Sequence, residues 1–476
     1  MLANKDLIIY NSLTSQKEKF TSINNKMVGM YVCGPTVYNT VHLGNCRTFI
    51  SFDLIFRYLK HLGWKVRYVR NITDVGHLED ESQEDKISKR AAIEKLEPME
   101  IVQKYTNDFR NVLNKFNLLS PDIEPTATGH IIEQIEMIEK IIENGYAYVN
   151  NGSVYFDLKA FTSNYTYGKL SNRNLDDLIN ESRKLQGSKE KKSPQDFALW
   201  KKATISHIMK WKSPWGDGFP GWHIECSAMS HKYLGKRFDI HGGGIDLKFP
   251  HHDCEIAQSE SAYGENPANY WIHTNMLTLN GKKMSKSIGN SVFPNEIFEG
   301  KNDIFSKSFS PMTLKFFMYQ AHYRNTLDLS NNALLSSEKA FAKIIQLNKD
   351  LQNVKVSETS ELNAQSWIND CYSALNDDFN SPKLIAYFFE LIKSINKVKS
   401  GTFKLDVKNK DLLLKYFKIF SEDILGLDLN DNQNNQSEIV DLLLEIREKE
   451  RENKNFETSD YIRNRLNSLG INIEDS

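Results

Sequence analysis

Residues 26–45 read KMVGMYVCGPTVYNTVHLGN, and the fold class follows from them and from the segments that come next. The apolar run from Lys26 to Cys33 has the length of a buried strand and is broken by Gly34-Pro35. An apolar-rich stretch from Thr48 to Leu62 is long enough for a helix and is followed by a glycine. Trp64 to Ile72 then alternates as a strand does. Strand, glycine turn, helix and strand together predict a parallel α/β sheet.

The rest of the chain changes character near residue 311. Before that point the patterns predict two helices within Pro98–Gly145, a hairpin over Tyr146–Leu158, and a strand over Lys236–His241. A helix over His251–Tyr263 and a strand over Trp271–Leu279 follow. Beyond residue 311 helical patterns dominate and strand–helix–strand units are absent, so a helical carboxyl-terminal part is expected.

The composition of the 476-residue chain permits several domains and identifies no partner. Sixty basic side chains balance 61 acidic ones, so bulk charge neither supports nor excludes a nucleic acid. No apolar run reaches the roughly 18 residues that span a bilayer, and residues 1–10 do not resemble a secretory leader. The five cysteines are odd in number and scattered, unlike a disulfide framework. We therefore expect a cytoplasmic protein with no membrane partner.

The first candidate site is His42-Leu43-Gly44-Asn45, at the head of the first predicted helix. A helix N-terminus offers unpaired N–H groups and the positive end of a dipole, which suit phosphate. Gly44 lets backbone approach a ligand, while His42 and Asn45 can donate to phosphoryl oxygens. The alternative is an ordinary strand-to-helix turn, which the segment by itself does not exclude.

The second candidate site is the loop Asn280–Asn290, which reads NGKKMSKSIGN. Lysines and serines between glycines form a basic loop that can close over a polyphosphate, although such charge runs are usually solvated surface. Residues 283–287, KMSKS, match the signature loop of the class I aminoacyl-tRNA synthetases. His42–Asn45 resembles the other signature of that class, usually His-Ile-Gly-His.

The third candidate site is a set of metal-ligating side chains. His251 and Glu255 are four positions apart, so on a helix they share a face. Cys33 ends the first predicted strand and Cys226 lies in the segment GWHIECSAM, residues 221–229. Spacing alone does not assemble these four side chains into one site, because the two cysteines are far apart in sequence.

Several further segments resemble the cysteinyl-tRNA synthetase family. They are CGPTVY (33–38), NITD (71–74), DFALWK (196–201), GWHIECS (221–227) and HGGGIDL (241–247). The likeness extends over nearly the whole chain. In that family two cysteines, a histidine and a glutamate bind one zinc ion, and the matching residues are Cys33, Cys226, His251 and Glu255. The resemblance does not make the neighbouring His252 a ligand.

The resemblance also implies substrates and roles. It implies that ATP, accompanied by Mg²⁺, activates L-cysteine and that cysteine then passes to tRNA(Cys). The residues it assigns to catalysis are His42, Asn45, Lys283 and Lys286. His42, Gly44 and Lys286 are expected to bind ATP, and Gly34, Thr73 and Trp222 to bind cysteine. Asn45 departs from the usual histidine, and Cys46 and Cys254 are interpreted as incidental thiols.

The implied organisation is a Rossmann-type catalytic domain with an inserted segment, followed by helical tRNA-binding parts. The boundaries are 1–310 for catalysis with the insertion at about 115–200, 311–350 for a connecting region, 351–427 for a helical tRNA-binding domain, 428–437 for a polar linker, and 438–476 for an anticodon-recognition segment. Candidate phosphate contacts in the last segment are Arg447, Lys449, Arg451 and Lys454. A monomer is expected, as is usual in the family.

Two alternative functions remain at this point. The related ligase that joins cysteine to an amino sugar in mycothiol synthesis resembles the catalytic half, but it lacks the helical domain that this chain has beyond residue 320. A non-catalytic paralogue that binds tRNA or zinc is the other alternative. It should have lost signature lysines or zinc ligands, and this chain retains Lys283, Lys286 and all four ligands.

Overall fold

The structure is a computed structural model that describes residues 7–75, 86–173, 190–205, 207–221, 223–284, 290–430 and 433–468. The chain divides into two compact units, Met1–Leu427 and Asp428–Ser476. In its described residues the first unit contains four β-sheets, two of them with four strands, and helices packed on them. None of the described helices is both long enough and apolar enough to cross a membrane.

A four-stranded parallel sheet forms the centre of the first unit. The first ten strands of the chain are β1 (Ile8–Asn11), β2 (Gln16–Lys19), β3 (Met27–Val32), β4 (Lys65–Arg70), β5 (Ala147–Asn150), β6 (Ser153–Phe156), β7 (Phe197–Lys202), β8 (Gly218–Pro220), β9 (Phe238–Gly244) and β10 (Ala268–Thr274). The central sheet has the order β10-β9-β3-β4, and every neighbouring pair is parallel. Parallel strands are covered on both faces, which explains the nearly continuous apolar run in β3. The predicted parallel α/β class is confirmed.

Helix α1 (Leu43–His61) crosses from β3 to β4 and begins earlier than the predicted Thr48. Its first turn lacks the apolar periodicity on which the prediction rested. The imidazole of His42 supplies the N-cap instead, because Nδ1 accepts a hydrogen bond from the backbone N–H of Asn45 at 3.3 Å. The helix ends near Gly63, whose φ of +94° suits glycine.

The chain between residues 86 and 220 contains four described α-helices and a second four-stranded sheet. The helices are α2 (Lys86–Glu94), α3 (Pro98–Lys115), α4 (Ile131–Glu143) and α5 (Leu158–Thr162). The sheet is antiparallel with the order β5-β6-β7-β8. Asn151 and Gly152 have φ values of +50° and +82°, so the hairpin turns where it was predicted to turn.

The next part of the chain returns to the central sheet. Its elements are α6 (Ile224–Leu234), α7 (Asp253–Tyr263), β11 (Leu277–Leu279), β12 (Lys282–Lys283) and α8 (Pro294–Phe298). A π-helical turn, Lys248–His252, precedes α7, so the predicted helix starts at Asp253 rather than at His251. The predicted strand Trp271–Leu279 is likewise interrupted, because Asn275 and Met276 separate β10 from β11.

Helices make up the remainder of the first unit. They are α9 (Pro311–Tyr319), α10 (Asn331–Asn353), α11 (Ala364–Asn376), α12 (Ser381–Lys399) and α13 (Val407–Lys418). A short strand, β13 (Leu327–Leu329), pairs with β11. Four of the five N-caps, Ser310, Ser330, Asn363 and Asp406, have extended backbone and side chains that accept from the first turn, as is typical of helix starts.

The second unit contains α14 (Gln433–Glu452) and α15 (Phe456–Ser468). Helix α14 therefore begins inside the range 428–437, where a polar linker was predicted. Lys449, Arg451 and Lys454 are exposed, as surface phosphate contacts must be. Arg447 is buried, with 6% of its surface exposed, so its interpretation as a surface phosphate contact is wrong.

Candidate active site

A cavity of about 310 Å³ opens at the carboxyl-terminal edge of the central sheet. Its lining residues are Cys33, Gly34, Pro35, Thr36, His42, Gly44, Asn45, Thr48, Phe49, Gly244–Leu247, Thr274–Leu277, Lys283 and Met284. Open α/β sheets bind ligands at this edge because loops and helix N-termini converge there. The cavity brings together residues from both predicted signature segments and one predicted metal ligand.

Two thiols, an imidazole and a carboxylate meet beside the cavity. The Cys33 Sγ atom lies 3.3 Å from His251 Nε2, 3.5 Å from Glu255 Oε1 and 4.0 Å from Cys226 Sγ. His251 Nε2 is 2.8 Å from Glu255 Oε1. All four side chains are buried. The structure thus places the four residues predicted as metal ligands in one cluster, although they come from four separate elements.

The electrostatics of the cluster favour the negatively charged forms of two of its side chains, Glu255 and Cys226. Burial would raise the pKa of Glu255, but the imidazoles of His241 and His251 lower it to about 2. The hydrogen bond from the Cys33 thiol lowers the pKa of Cys226 to about 6. Burial and the same contact raise the pKa of Cys33. The contact thus favours the thiolate at Cys226 over the thiolate at Cys33, and the thiolate is the form in which cysteine binds metals.

His252 also reaches the cluster, although it was not predicted to be a ligand. Its Nε2 atom is 3.4 Å from Cys33 Sγ, and together with Cys33, His251 and Glu255 it forms a group whose ligand atoms lie within 4.8 Å of one another. Its Nδ1 atom is 2.9 Å from His273 Nε2. The π-helical turn brings both adjacent histidines inward, which residue spacing does not reveal.

The helix that carries Cys226, α6, begins at a residue with a strained backbone. His223, the N-cap of α6, has a φ of +62°, which is uncommon for a residue with a Cβ atom. Its ring centroid is 3.9 Å from that of His251. The sequence does not predict this conformation, because no glycine or asparagine marks the position.

The N-terminus of α1 faces the cavity. Gly44 lies close to His42, since a Cβ atom at Gly44 would be 3.1 Å from the His42 ring and 3.6 Å from Met284 Cε. Asn45 is exposed and His42 is partly exposed. The Leu43 N–H donates to the Val292 carbonyl at 2.9 Å and the Asn45 N–H to the His42 carbonyl at 3.0 Å. An anionic ligand at this end of α1 would therefore meet the Gly44 N–H and the positive end of the helix dipole.

The second signature segment reaches the cavity through β12. Lys283 is exposed at the cavity wall, and the adjacent Met284 is buried. The Asn290 side chain donates to the Lys283 carbonyl at 3.0 Å. Lys286, which was predicted to bind ATP, lies outside the described residues.

The residues predicted to bind cysteine have different positions. Gly34 lines the cavity, and its N–H donates to Asn71 Oδ1 at 2.8 Å. A Cβ atom there would lie 1.6 Å from the Asn71 carbonyl oxygen, so only glycine fits. Thr73 is buried, accepts from Asn71 Nδ2 at 3.0 Å, and is not among the described residues that line the cavity. Trp222 lies outside the described residues.

Comparison with known proteins agrees with this geometry. The family model of the tRNA synthetases class I (C) catalytic domain matches residues 19–339, and the DALR domain model matches residues 371–430. A solved Mycobacterium tuberculosis methionyl-tRNA synthetase in complex with methionyl-adenylate shares the fold, with a TM-score of 0.57 at 13% identity. That match covers 84% of this chain and 89% of the other.

Relatives of similar length are much closer in sequence. The cysteine–tRNA ligase of Bacteroides thetaiotaomicron is 50% identical over 479 residues, which cover 99% of this chain and 97% of the relative. The cysteine–tRNA ligase of Cytophaga hutchinsonii is 51% identical, with coverages of 100% and 98%. The catalytic domain match and these full-length similarities show that the chain belongs to the cysteine–tRNA ligase family of class I aminoacyl-tRNA synthetases.

Proposed function

We propose that the chain activates L-cysteine with ATP and attaches it to tRNA(Cys), and that it selects cysteine through one bound zinc ion. The observation that carries this proposal is the meeting of a thiol, imidazole and carboxylate cluster with a phosphate-binding helix N-terminus at one cavity. The first can hold the amino acid and the second the nucleotide.

The donor set fits zinc. Two cysteines, a histidine and a glutamate offer the soft and borderline ligands that zinc prefers; all four are buried, and the other three lie within 4.0 Å of Cys33 Sγ. We assign Cys33, Cys226, His251 and Glu255 as ligands. His252 is anchored by His273 and faces Cys33, so its role is to pack against the cluster. When bound, zinc holds a thiol as the thiolate and an alcohol far less well, which separates cysteine from serine.

The nucleotide is held by the other wall of the cavity. The N-terminus of α1 binds the phosphates through its dipole and through His42, Gly44 and Asn45. Lys283 and Lys286 approach the β and γ phosphates, and Mg²⁺ accompanies ATP. The carboxylate of cysteine attacks the α-phosphate, which gives cysteinyl-adenylate and pyrophosphate. The protein contributes by positioning the reactants and stabilising the charge that develops.

The amino acid is oriented by nearby backbone and side chains. Gly34 lies in the cavity wall and meets the amino group of cysteine. Thr73 acts by fixing Asn71, which in turn accepts the Gly34 N–H. Trp222 is proposed from family resemblance to complete the pocket.

The remaining parts of the chain bind tRNA. We assign 1–310 to catalysis, with its insertion at about 115–200, and 311–350 to a connecting region. The ranges 351–427 and 438–476 bind tRNA, the latter at the anticodon, with a linker at 428–437. The DALR domain match within residues 371–430 supports a retained tRNA-binding part, so the small-molecule ligase and the non-catalytic paralogue are not favoured. A cytoplasmic monomer completes the proposal.

The test is the charging of a tRNA(Cys) transcript by zinc-loaded protein with labelled cysteine, ATP and Mg²⁺. We expect cysteine to be attached and serine not to be attached under the same conditions. A folded, zinc-loaded protein that charges no competent tRNA would refute the proposal. Cysteine-dependent pyrophosphate exchange in that case would point to the small-molecule ligase, and its absence to a non-catalytic protein.

A further inference from the structure

A buried arginine connects α1 to two segments on the opposite side of the proposed nucleotide site. Arg47 lies on α1 and is 1% exposed. Its guanidinium donates to the backbone carbonyls of Asn275 at 3.1 Å and of Met276. The other terminal nitrogen donates to the carbonyls of His322 at 3.3 Å and of Asn325. Four carbonyl oxygens from two distant segments thus converge on one side chain.

In the described residues, carbonyl oxygens rather than carboxylates surround the Arg47 charge. Within the described part of the chain, no carboxylate oxygen lies within 4.0 Å of the Arg47 guanidinium. Burial lowers the pKa of Arg47 to about 10, so the side chain remains charged at neutral pH. A buried charge without a counter-ion costs stability even when carbonyls accept its hydrogen bonds, and an apolar side chain would be less costly if packing were its only purpose.

The four carbonyls belong to segments that carry the site. Asn275 and Met276 form the break between β10 and β11, and both line the cavity that contains His42, Gly44 and Asn45. Strand β11 continues through a turn into β12, which contains Lys283. His322 and Asn325 precede β13, which pairs with β11. Arg47 therefore bonds α1 to both segments that fix the position of β11.

We propose that Arg47 is a positioning residue. It fixes the N-terminus of α1 and the β11–β12 hairpin relative to each other, on either side of the phosphates of ATP. The inference rests on the proposed function, and Arg47 itself touches no substrate. The planar guanidinium has five N–H donors and can span carbonyls on two segments, whereas a lysine ammonium offers three donors at one point. A displacement of reacting groups by about 1 Å can cost about 100-fold in rate.

The test compares Arg47→Lys and Arg47→Gln in the zinc-loaded full chain by cysteine-dependent ATP–pyrophosphate exchange. We expect kcat to fall about 100-fold in both variants, with KM for cysteine changed by no more than about twofold. Glutamine removes the buried charge together with its desolvation cost and keeps two donors for the four carbonyls, so the two variants lose stability for different reasons, and circular dichroism establishes which of them is folded.

The matched control is Arg57→Lys on the same helix. Arg57 donates to Asp53 at 2.8 Å and to the carbonyls of Asn117 and Asp423, away from the cavity. We expect this variant to lower the melting temperature and to leave kcat within about twofold of the unsubstituted protein.

Two results would overturn the inference. One is a folded Arg47 variant whose kcat stays within about threefold of the original. The other is an Arg57→Lys variant that loses kcat as strongly as the Arg47 variants do, since the loss would then reflect general destabilisation. Failure of the proposed function would look different, because the unsubstituted protein itself would then show no cysteine-dependent exchange.

Discussion

The two walls of the cavity differ in their exposure to water. The thiol, imidazole and carboxylate cluster is buried, and each of its side chains contacts another member. On the nucleotide wall Asn45 and Lys283 are exposed, and His42 is partly exposed. Hydrogen bonds and charge interactions are stronger in a site shielded from water, and the side chains there are already in place before a ligand binds. An open site admits a highly charged, hydrated ligand. Under the proposed function, the buried cluster (the dry part) selects the amino acid and the exposed wall (the wet part) binds the phosphates.

The largest expected effect comes from removing a ligand in the dry part. Cys226→Ala should abolish stoichiometric zinc binding and raise KM for cysteine by about 10,000-fold, because the site then leaves its remaining buried ligands unpaired. KM for ATP should change far less. Metal analysis and pyrophosphate exchange measure these quantities.

A second buried thiol provides the control for Cys226. Cys254 on α7 contacts the Tyr167 hydroxyl at 3.3 Å, whereas Cys226 Sγ lies 4.0 Å from Cys33 Sγ. Cys254→Ala should retain zinc and the KM for cysteine. Equal losses of cysteine and ATP binding in Cys226→Ala would contradict the division into two parts.

A smaller effect is expected in the wet part. Lys283→Ala should lower kcat for adenylate formation about 100-fold, because it removes one charge that stabilises the transition state. Zinc content and KM for cysteine should be unchanged. Lys282→Ala, at the neighbouring exposed position of β12, is the control and should retain activity. A zinc loss in Lys283→Ala would show that the two walls are not independent.

The third prediction concerns His241, which contacts the proposed ligand Glu255. His241 Nε2 is 2.6 Å from Glu255 Oε2, and its ring stacks on Trp271 with centroids 4.4 Å apart. His241→Gln should weaken zinc affinity about 50-fold, as loss of a residue that orients a metal ligand typically does. His231→Gln, which alters a ring stacked on Tyr263, is the control. Competition with a chelator measures the zinc affinity of both variants. If His241→Gln binds zinc as tightly as the control His231→Gln, the prediction is contradicted.

The smallest effect concerns acid stability of the dry part. Burial lowers the pKa of His273 to about 3, against roughly 6.5 in an unfolded chain. The unfolded state therefore binds more protons between these values, and the folded protein loses stability as pH falls below 6.5. At pH 5 this loss amounts to about 2 kcal/mol. The free energy of unfolding, measured with denaturant on metal-free protein, falls between pH 7 and pH 5. In His273→Gln this fall should be about 2 kcal/mol smaller than in the unsubstituted protein.

Local features of this molecule were predictable from sequence, and long-range ones were not. The parallel strand–helix–strand unit of β3, α1 and β4 follows from contiguous patterns, and so does the placement of His42–Asn45 at the N-terminus of α1. The start of α1 was missed because its cap is a side-chain bond of His42. The role of Arg47 was also missed, because an arginine on a helix is usually a surface charge and its first carbonyl partner is 228 positions away.

The metal cluster lies between these extremes. Family resemblance selected Cys33, Cys226, His251 and Glu255, while spacing alone supported only the last two as a pair. The π-helical turn that brings His252 towards Cys33 has no sequence signal, because both histidines are adjacent and equally able to bind metal. Side-chain clusters built from separate elements depend on tertiary packing, and a single sequence does not encode that packing in any local pattern.

The most direct test of metal-based selection replaces zinc with cobalt, whose absorption reports its ligands. We predict that cysteine, added to the cobalt-loaded protein, strengthens the thiolate-to-metal charge-transfer band in the near ultraviolet, because a further thiolate joins the metal. Serine at the same concentration should leave the band unchanged. A spectrum that saturating cysteine does not alter would contradict direct selection of the thiol by the metal.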